Sequence, residues 1–157
     1  MAMKERYFDP RRGWWLFTIT TIIWLLWMTL RPDRTLNQIN LIPMAEHGQA
    51  LACLIHGNCA RQHMVWFLFV DVLGNIVVFV PLGVGLAGVL YQNNAWQTVR
   101  RATLVGLLFS LTIEIIQLTI PSRATDVDDL IFNTLGVALG AIVFSLFYQL
   151  KSQKLNH

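Results

Sequence analysis

Residues 14–30, WWLFTITTIIWLLWMTL, run without a single charged side chain, and three further long apolar stretches follow at 65–90, 102–120 and 130–150. Such recurrence restricts the chain more than any local motif. Each run approaches the roughly 20 residues a helix needs to cross the hydrocarbon core of a bilayer. Over the whole chain 55% of residues are hydrophobic and 13% are charged, about half the charged share usual in soluble domains. A soluble domain of 157 residues has too little interior to hide that much apolar surface. The expectation is an all-α membrane protein, a bundle of four transmembrane helices forming a single integral membrane domain over residues 1–157. A long extracytoplasmic loop, residues 31–64, would join the first two helices. The first run is longer than a signal-peptide core and no small-x-small cleavage pattern follows Leu30, so it reads as a retained anchor.

Orientation follows from the lysines and arginines that flank the runs. The two ends and the 91–101 connection carry eight of them, among them Lys4, Arg11, Arg100 and Lys151; the opposite side carries four, Arg31, Arg34, Arg61 and Arg123. Both termini are therefore expected in the cytoplasm, in a multi-pass membrane protein. The formal net charge of +3 needs no nucleic-acid partner, because the positive-inside bias accounts for it. The outer loop then holds both cysteines, Cys53 and Cys59, in CLIHGNC. A disulfide and two free thiols are both compatible with that spacing. A zinc site using His56 and His63 as well fits no usual ligand spacing.

The polar residues inside the runs are the informative ones. With this topology, Asp71 and Asn75 lie near the outer end of the second run, Glu114 and Gln117 near that of the third, and Asp129 and Asn133 in the first turns of the fourth. Each pair is spaced three or four residues apart and so shares a helix face. A carboxylate facing lipid is costly, so all three faces should turn inward. The expectation is a common polar chamber near the outer surface, with PSRATDVDD, residues 121–129, as its lid. Asp126 would cap the fourth helix, with Asp128 and Asp129 in its first turn favoured by the helix dipole. GVALG, Gly136 to Gly140, is a GxxxG pattern for close helix approach. GVGLAG, Gly83 to Gly88, formally matches a dinucleotide fingerprint but follows no strand and lies within an apolar run. Pro81 is expected to kink the second helix. Ser110 and Thr112 are expected to bond their own helix backbone.

Three blocks, NLIP (Asn40–Pro43), DVLGNIVVFVPLG (Asp71–Gly83) and IEIIQLTIPSRATDVDDLIFNTLG (Ile113–Gly136), resemble the signature blocks of VanZ-like membrane proteins, in the same order over residues 37–150. The resemblance implies that Asn40, Asp71, Asn75, Glu114, Gln117, Arg123, Asp126, Asp129 and Asn133 stand at signature positions. Met44 departs from the aromatic residue the family often has after the proline. The family is named for resistance to teicoplanin, a lipoglycopeptide, which implies a ligand that is amphiphilic or linked to lipid-borne cell-wall precursors.

Chemistry at such a cluster can take several forms. Glu114, Asp71 and Asp129 are the candidate catalytic groups, with Glu114 as general acid or base. Asn40, Asn75, Gln117, Arg123, Asp126 and Asn133 are the candidate ligand-binding groups. A divalent cation such as Mg²⁺ or Ca²⁺, held by Asp71, Glu114 and Asp129, would clamp a phosphate together with Arg123. Catalysis on a lipid, binding of a lipoglycopeptide without catalysis, and a purely structural interhelical lock all stay open at this level.

Overall fold

A computed structural model describes residues 10–31, 39–57, 61–92, 94–120 and 125–155. It is mostly helical. In chain order the elements are α1 (Pro10–Thr29), β1 (Ile39–Asn40), α2 (Ala45–His56), α3 (Arg61–Leu68), a π-helical turn (Phe69–Leu73), α4 (Gly74–Val89), α5 (Ala95–Gln117), β2 (Thr125–Asp126) and α6 (Val127–Leu155). The four apolar runs are thus helical nearly from end to end. Two stretches, Val65–Val89 and Val127–Leu150, are long and apolar enough to cross a membrane by length and composition. Helices α1 and α5 are 20 and 23 residues long but less apolar, since threonines and tryptophans interrupt one and Arg100, Arg101, Glu114 and Gln117 the other. The segment expected as a long loop contains more structure than that: β1, the 12-residue helix α2 and the start of α3.

Local chemistry explains the element ends. The side chain of Asn94 accepts a hydrogen bond from the Gln97 N–H and starts α5. Asp126 does the same for α6, accepting from the Asp128 N–H at 2.9 Å, with Asp128 and Asp129 in the first turn as expected. Helix α2 stops at Gly57, whose φ of 76° lies in the left-handed region that glycine enters without a side-chain penalty. In α1, Thr18, Thr20, Thr21 and Thr29 each donate their hydroxyl to the carbonyl four residues back. Those threonines present no unpaired polar group to apolar surroundings.

The centre of the fold is the pairing of α4 with α6, flanked by α1 on α4 and α5 on α6. Small residues permit it. A Cβ added at Gly83 would overlap the Val137 carbonyl, one at Gly136 the Ile76 carbonyl, and one at Gly140 the Val80 carbonyl. The two backbones therefore touch, as the GxxxG pattern implies. The GVGLAG stretch shares this packing task, with Gly85 against Thr18 and Gly88 against the Trp14 ring of α1. Pro81 lies inside α4. The core about this pair holds Leu25, Phe79, Leu82, Ile113 and Val137, all buried. Outside it, large apolar side chains such as Leu16, Ile23, Leu108 and Leu146 stay exposed.

Candidate functional site

The polar residues collect where β1 and β2 pair in parallel, Ile39 with Thr125 and Asn40 with Asp126. This short pairing fastens the 31–64 segment to the start of α6. The Asn40 Nδ2 donates to both oxygens of Asp126 at 3.3 and 3.2 Å, while its own Oδ1 accepts the Ile42 N–H at 3.2 Å and shapes the turn into α2. Asp126 in turn offers its backbone N–H to Glu114 Oε2 at 3.2 Å. Residues from β1, β2 and α5 thus share one chain of hydrogen bonds. Glu114 is 6% exposed, so its carboxyl has left bulk solvent and takes its partners from the protein.

Beside this chain stands a second one. His47, on the first turn of α2, places Nδ1 2.8 Å from Asp128 Oδ2 and Nε2 3.0 Å from Asp71 Oδ2. Its ring is wedged between Phe67 and Phe132, with centroids at 5.5 and 5.3 Å. Asp128 is fully buried, and its other oxygen accepts the Met44 N–H at 2.8 Å. Asp71 is the accessible member, its side chain one-third exposed. It sits in the π-helical turn, a geometry that is uncommon and that recurs at functional sites. Each ring nitrogen faces a carboxylate oxygen, and each contact needs a proton between the two atoms. Two protons are therefore shared among one imidazole and two carboxyls.

The other candidate residues are tied differently. Asn75 Nδ2 donates to Asp129 Oδ1 at 2.6 Å and links α4 to α6. Although Asp71 and Asn75 share a face by spacing, one reaches α2 and the other α6. Gln117 donates to the Thr29 carbonyl at 2.9 Å, satisfying an otherwise orphaned group at the end of α1. Asn133 donates to Ser110 Oγ at 3.0 Å. Ser110 thus accepts across the α5–α6 interface, while Thr112 bonds its own helix at the Leu108 carbonyl. Arg123, the expected phosphate clamp, lies outside the described residues. Among the described residues no group of three or more His, Cys, Asp or Glu side chains is arranged to hold a metal ion. Of the three carboxylates expected to share a cation, Asp71 meets His47, Glu114 accepts the Asp126 N–H and Asp129 accepts from Asn75. Cys53 is engaged in a disulfide, which takes its thiolate out of any zinc site; Cys59 lies outside the described residues.

Comparison with known proteins covers the same elements. The VanZ/LLP1 family model matches residues 15–148, from the first turns of α1 to the far part of α6. The chain belongs to the VanZ/LLP1 family. It is 28% identical over 143 residues to Protein VanZ of Enterococcus faecium, covering 91% of this chain and 78% of that protein. No solved structure matches the chain. The polar network of this VanZ/LLP1 chain therefore lies wholly inside the matched span.

The sequence does not mark His47, nor does it mark Asp128 and Ser110 as members of the polar network. His47 follows NLIP by a few residues in a segment read as loop, where a histidine carries no periodicity to mark it. Asp128 was legible as a first-turn acid of α6, but not as the most buried of three neighbouring aspartates. The available signal was its place in DVDD: on a helix, adjacent acids point about 100° apart, so at most one of Asp128 and Asp129 could face solvent fully.

Proposed function

We propose that this VanZ/LLP1 protein is a multi-pass bacterial membrane protein whose polar network lies at the outer surface and recognises a lipid-linked or amphiphilic ligand. Four spans, α1, α3 through α4, α5 and α6, would cross with both termini in the cytoplasm, in line with the flanking lysines and arginines. The ligand would be a lipoglycopeptide such as teicoplanin or a lipid-borne cell-wall precursor, with Glu114, Asp71 and Asp129 at the centre. Asn40, Asn75, Gln117, Asp126 and Asn133, with Arg123, would supply its hydrogen-bonding surround, and membrane lipid is the expected partner.

The observation that carries this reading is the gathering of four acids, Asp71, Glu114, Asp126 and Asp128, from four elements into one hydrogen-bonded network, with Asp129 tied to Asn75 beside it. Burying an ionised acid among protein groups costs several kcal/mol in lost solvation. Interhelical polar bonds return on average about 0.6 kcal/mol each. Holding the helices together does not offset that cost; recognition of a ligand supplies a reason for it.

A structural lock is the second reading, favoured by the Asn133–Ser110 and Gln117–Thr29 ties. Glu114→Gln separates the two, since the amide keeps an acceptor for the Asp126 N–H and removes the charge. The parent and E114Q would be expressed at equal membrane abundance in a Gram-positive host challenged with teicoplanin or vancomycin. Protection by the parent and at least tenfold less by a folded E114Q supports the ligand site. Equal protection assigns Glu114 to the lock. A parent that does not protect at all removes the lipoglycopeptide from the reading, and incubation with purified lipid then distinguishes turnover from retention.

A further inference from the structure

We propose that Asp128, His47 and Asp71 form a proton relay whose exposed end, Asp71, accepts a hydrogen bond from the headgroup of an outer-leaflet lipid. The proposal rests on the outward placement given above and deepens it by naming the ligand chemistry, a headgroup bearing an N–H or O–H donor. His47 and Asp128 are positioning residues, since neither has the access that Asp71 has.

The geometry has three parts. Asp128 is fully buried and committed twice, to the Met44 N–H and to His47 Nδ1, each at 2.8 Å. That double commitment holds the imidazole in one orientation and keeps a proton on Nδ1, because the carboxylate there only accepts. Nε2 then points at Asp71 Oδ2 at 3.0 Å. The proton between them has two resting places. Moving it from Nε2 to Oδ2 breaks one N–H bond and forms one O–H bond, turning an imidazolium–carboxylate pair into a neutral imidazole and a neutral acid. Nothing else is consumed or released.

The third part is Asp71 itself. Among the described residues only its Oδ2 is engaged, and its side chain is one-third exposed. The π-helical turn that carries it adds a residue to the ordinary helical repeat and so aims Asp71 away from the register that Asn75 follows to α6. Among the described residues, the charged groups that face the relay include two further acids, Asp126 on β2 and, beyond it, Glu114 on α5. Next to Asp71 in the chain, Phe69 and Val70 are exposed and apolar, a surface suited to acyl chains rather than to a water-soluble ligand. A donor arriving at the second oxygen of Asp71 strengthens the carboxylate form and returns the shared proton to Nε2. The relay thus reads headgroup chemistry at His47, although the headgroup never touches the ring.

The test is the protonation of His47 in bilayers that differ only in headgroup donors. The full-length protein, labelled with ¹⁵N-histidine, is placed in nanodiscs of phosphatidylcholine alone, or with phosphatidylethanolamine or phosphatidylglycerol added, and the His47 signals are assigned by their loss in His47→Gln. Phosphatidylcholine has no N–H or O–H donor; the other two offer an ammonium and hydroxyls. The expected result is an Nδ1 that stays protonated in every disc and an Nε2 resonance that moves toward the protonated position when a donor lipid is present. A response to phosphatidylethanolamine alone assigns an ammonium, and one to phosphatidylglycerol alone a hydroxyl. Asp71→Asn should abolish the response and leave Nδ1 unmoved. An Nε2 signal identical in all three discs overturns the proposal, as does a His47 that exchanges freely between tautomers. A lipid-responsive Nε2 in a chain that gives no antibiotic protection keeps the relay and removes the lipoglycopeptide reading, while the converse removes the relay alone.

Discussion

Replacing Asp128 by alanine should release α2 from the rest of the protein. The side chain is fully buried and accepts two hydrogen bonds at 2.8 Å, one from the Met44 N–H and one from His47 Nδ1. Hydrogen bonds to a charged partner contribute about 1.5–3 kcal/mol each, and breaking a buried charged pair costs about 3–5 kcal/mol because the survivor stays desolvated. Asp71 still holds the other side of the ring and moderates the loss, so about 3 kcal/mol is expected. At 1.4 kcal/mol per factor of ten, amide exchange over residues 41–56 should speed up by roughly 10²-fold. Exchange in the glycine-packed α4–α6 interface should change little. Asp128→Asn keeps an acceptor for the Met44 N–H and should cost about half as much. The assay is hydrogen–deuterium exchange by mass spectrometry in nanodiscs, comparing the peptides of α2 with those of α6. Should D128A leave α2 exchanging within threefold of the parent, the His47–Asp128 contact does not hold that helix, and the argument from burial fails.

Gly140→Val should part α4 from α6, because the new side chain would overlap the Val80 carbonyl, which cannot rotate away; overpacking of about 1–3 kcal/mol is expected, read as a lower thermal-aggregation midpoint in detergent, and an unchanged midpoint would deny the close backbone contact. On α2, Leu51 and Ile55 are exposed on the stripe that begins at Met44, while Gln49 is exposed on a different face. If α2 lies in the outer interface, nitroxide labels at positions 51 and 55 should collide preferentially with oxygen and one at 49 with a water-soluble nickel chelate. Cys53 is already in a disulfide and so does not compete for the label; water-like behaviour at all three positions would lift α2 off the membrane.

Some of this architecture is written in local composition. Four apolar runs become helices because their length and apolar character leave few other ways to satisfy the backbone. The cap at Asp126, the back-bonded threonines of α1 and the close approach at Gly136 and Gly140 each depend on a few neighbouring residues, so the one-dimensional pattern suffices for them. The acids and amides within the apolar runs could likewise be named, since a polar group in an apolar run stands out wherever the chain folds. Their partners could not. Asn40 meets Asp126 across the parallel β1–β2 pairing, and His47 meets Asp71 and Asp128 because that pairing and the turn at Met44 lay α2 across the helix ends. A histidine in an irregular segment has no repeat to betray its direction, and a π turn shifts the face on which Asp71 falls without altering any spacing in the sequence. Which groups are polar is a property of the residues. Which proton lies between which pair of atoms is settled by tertiary contacts, because a hydrogen bond is decided within a few tenths of an ångström and no pattern along the chain resolves that distance.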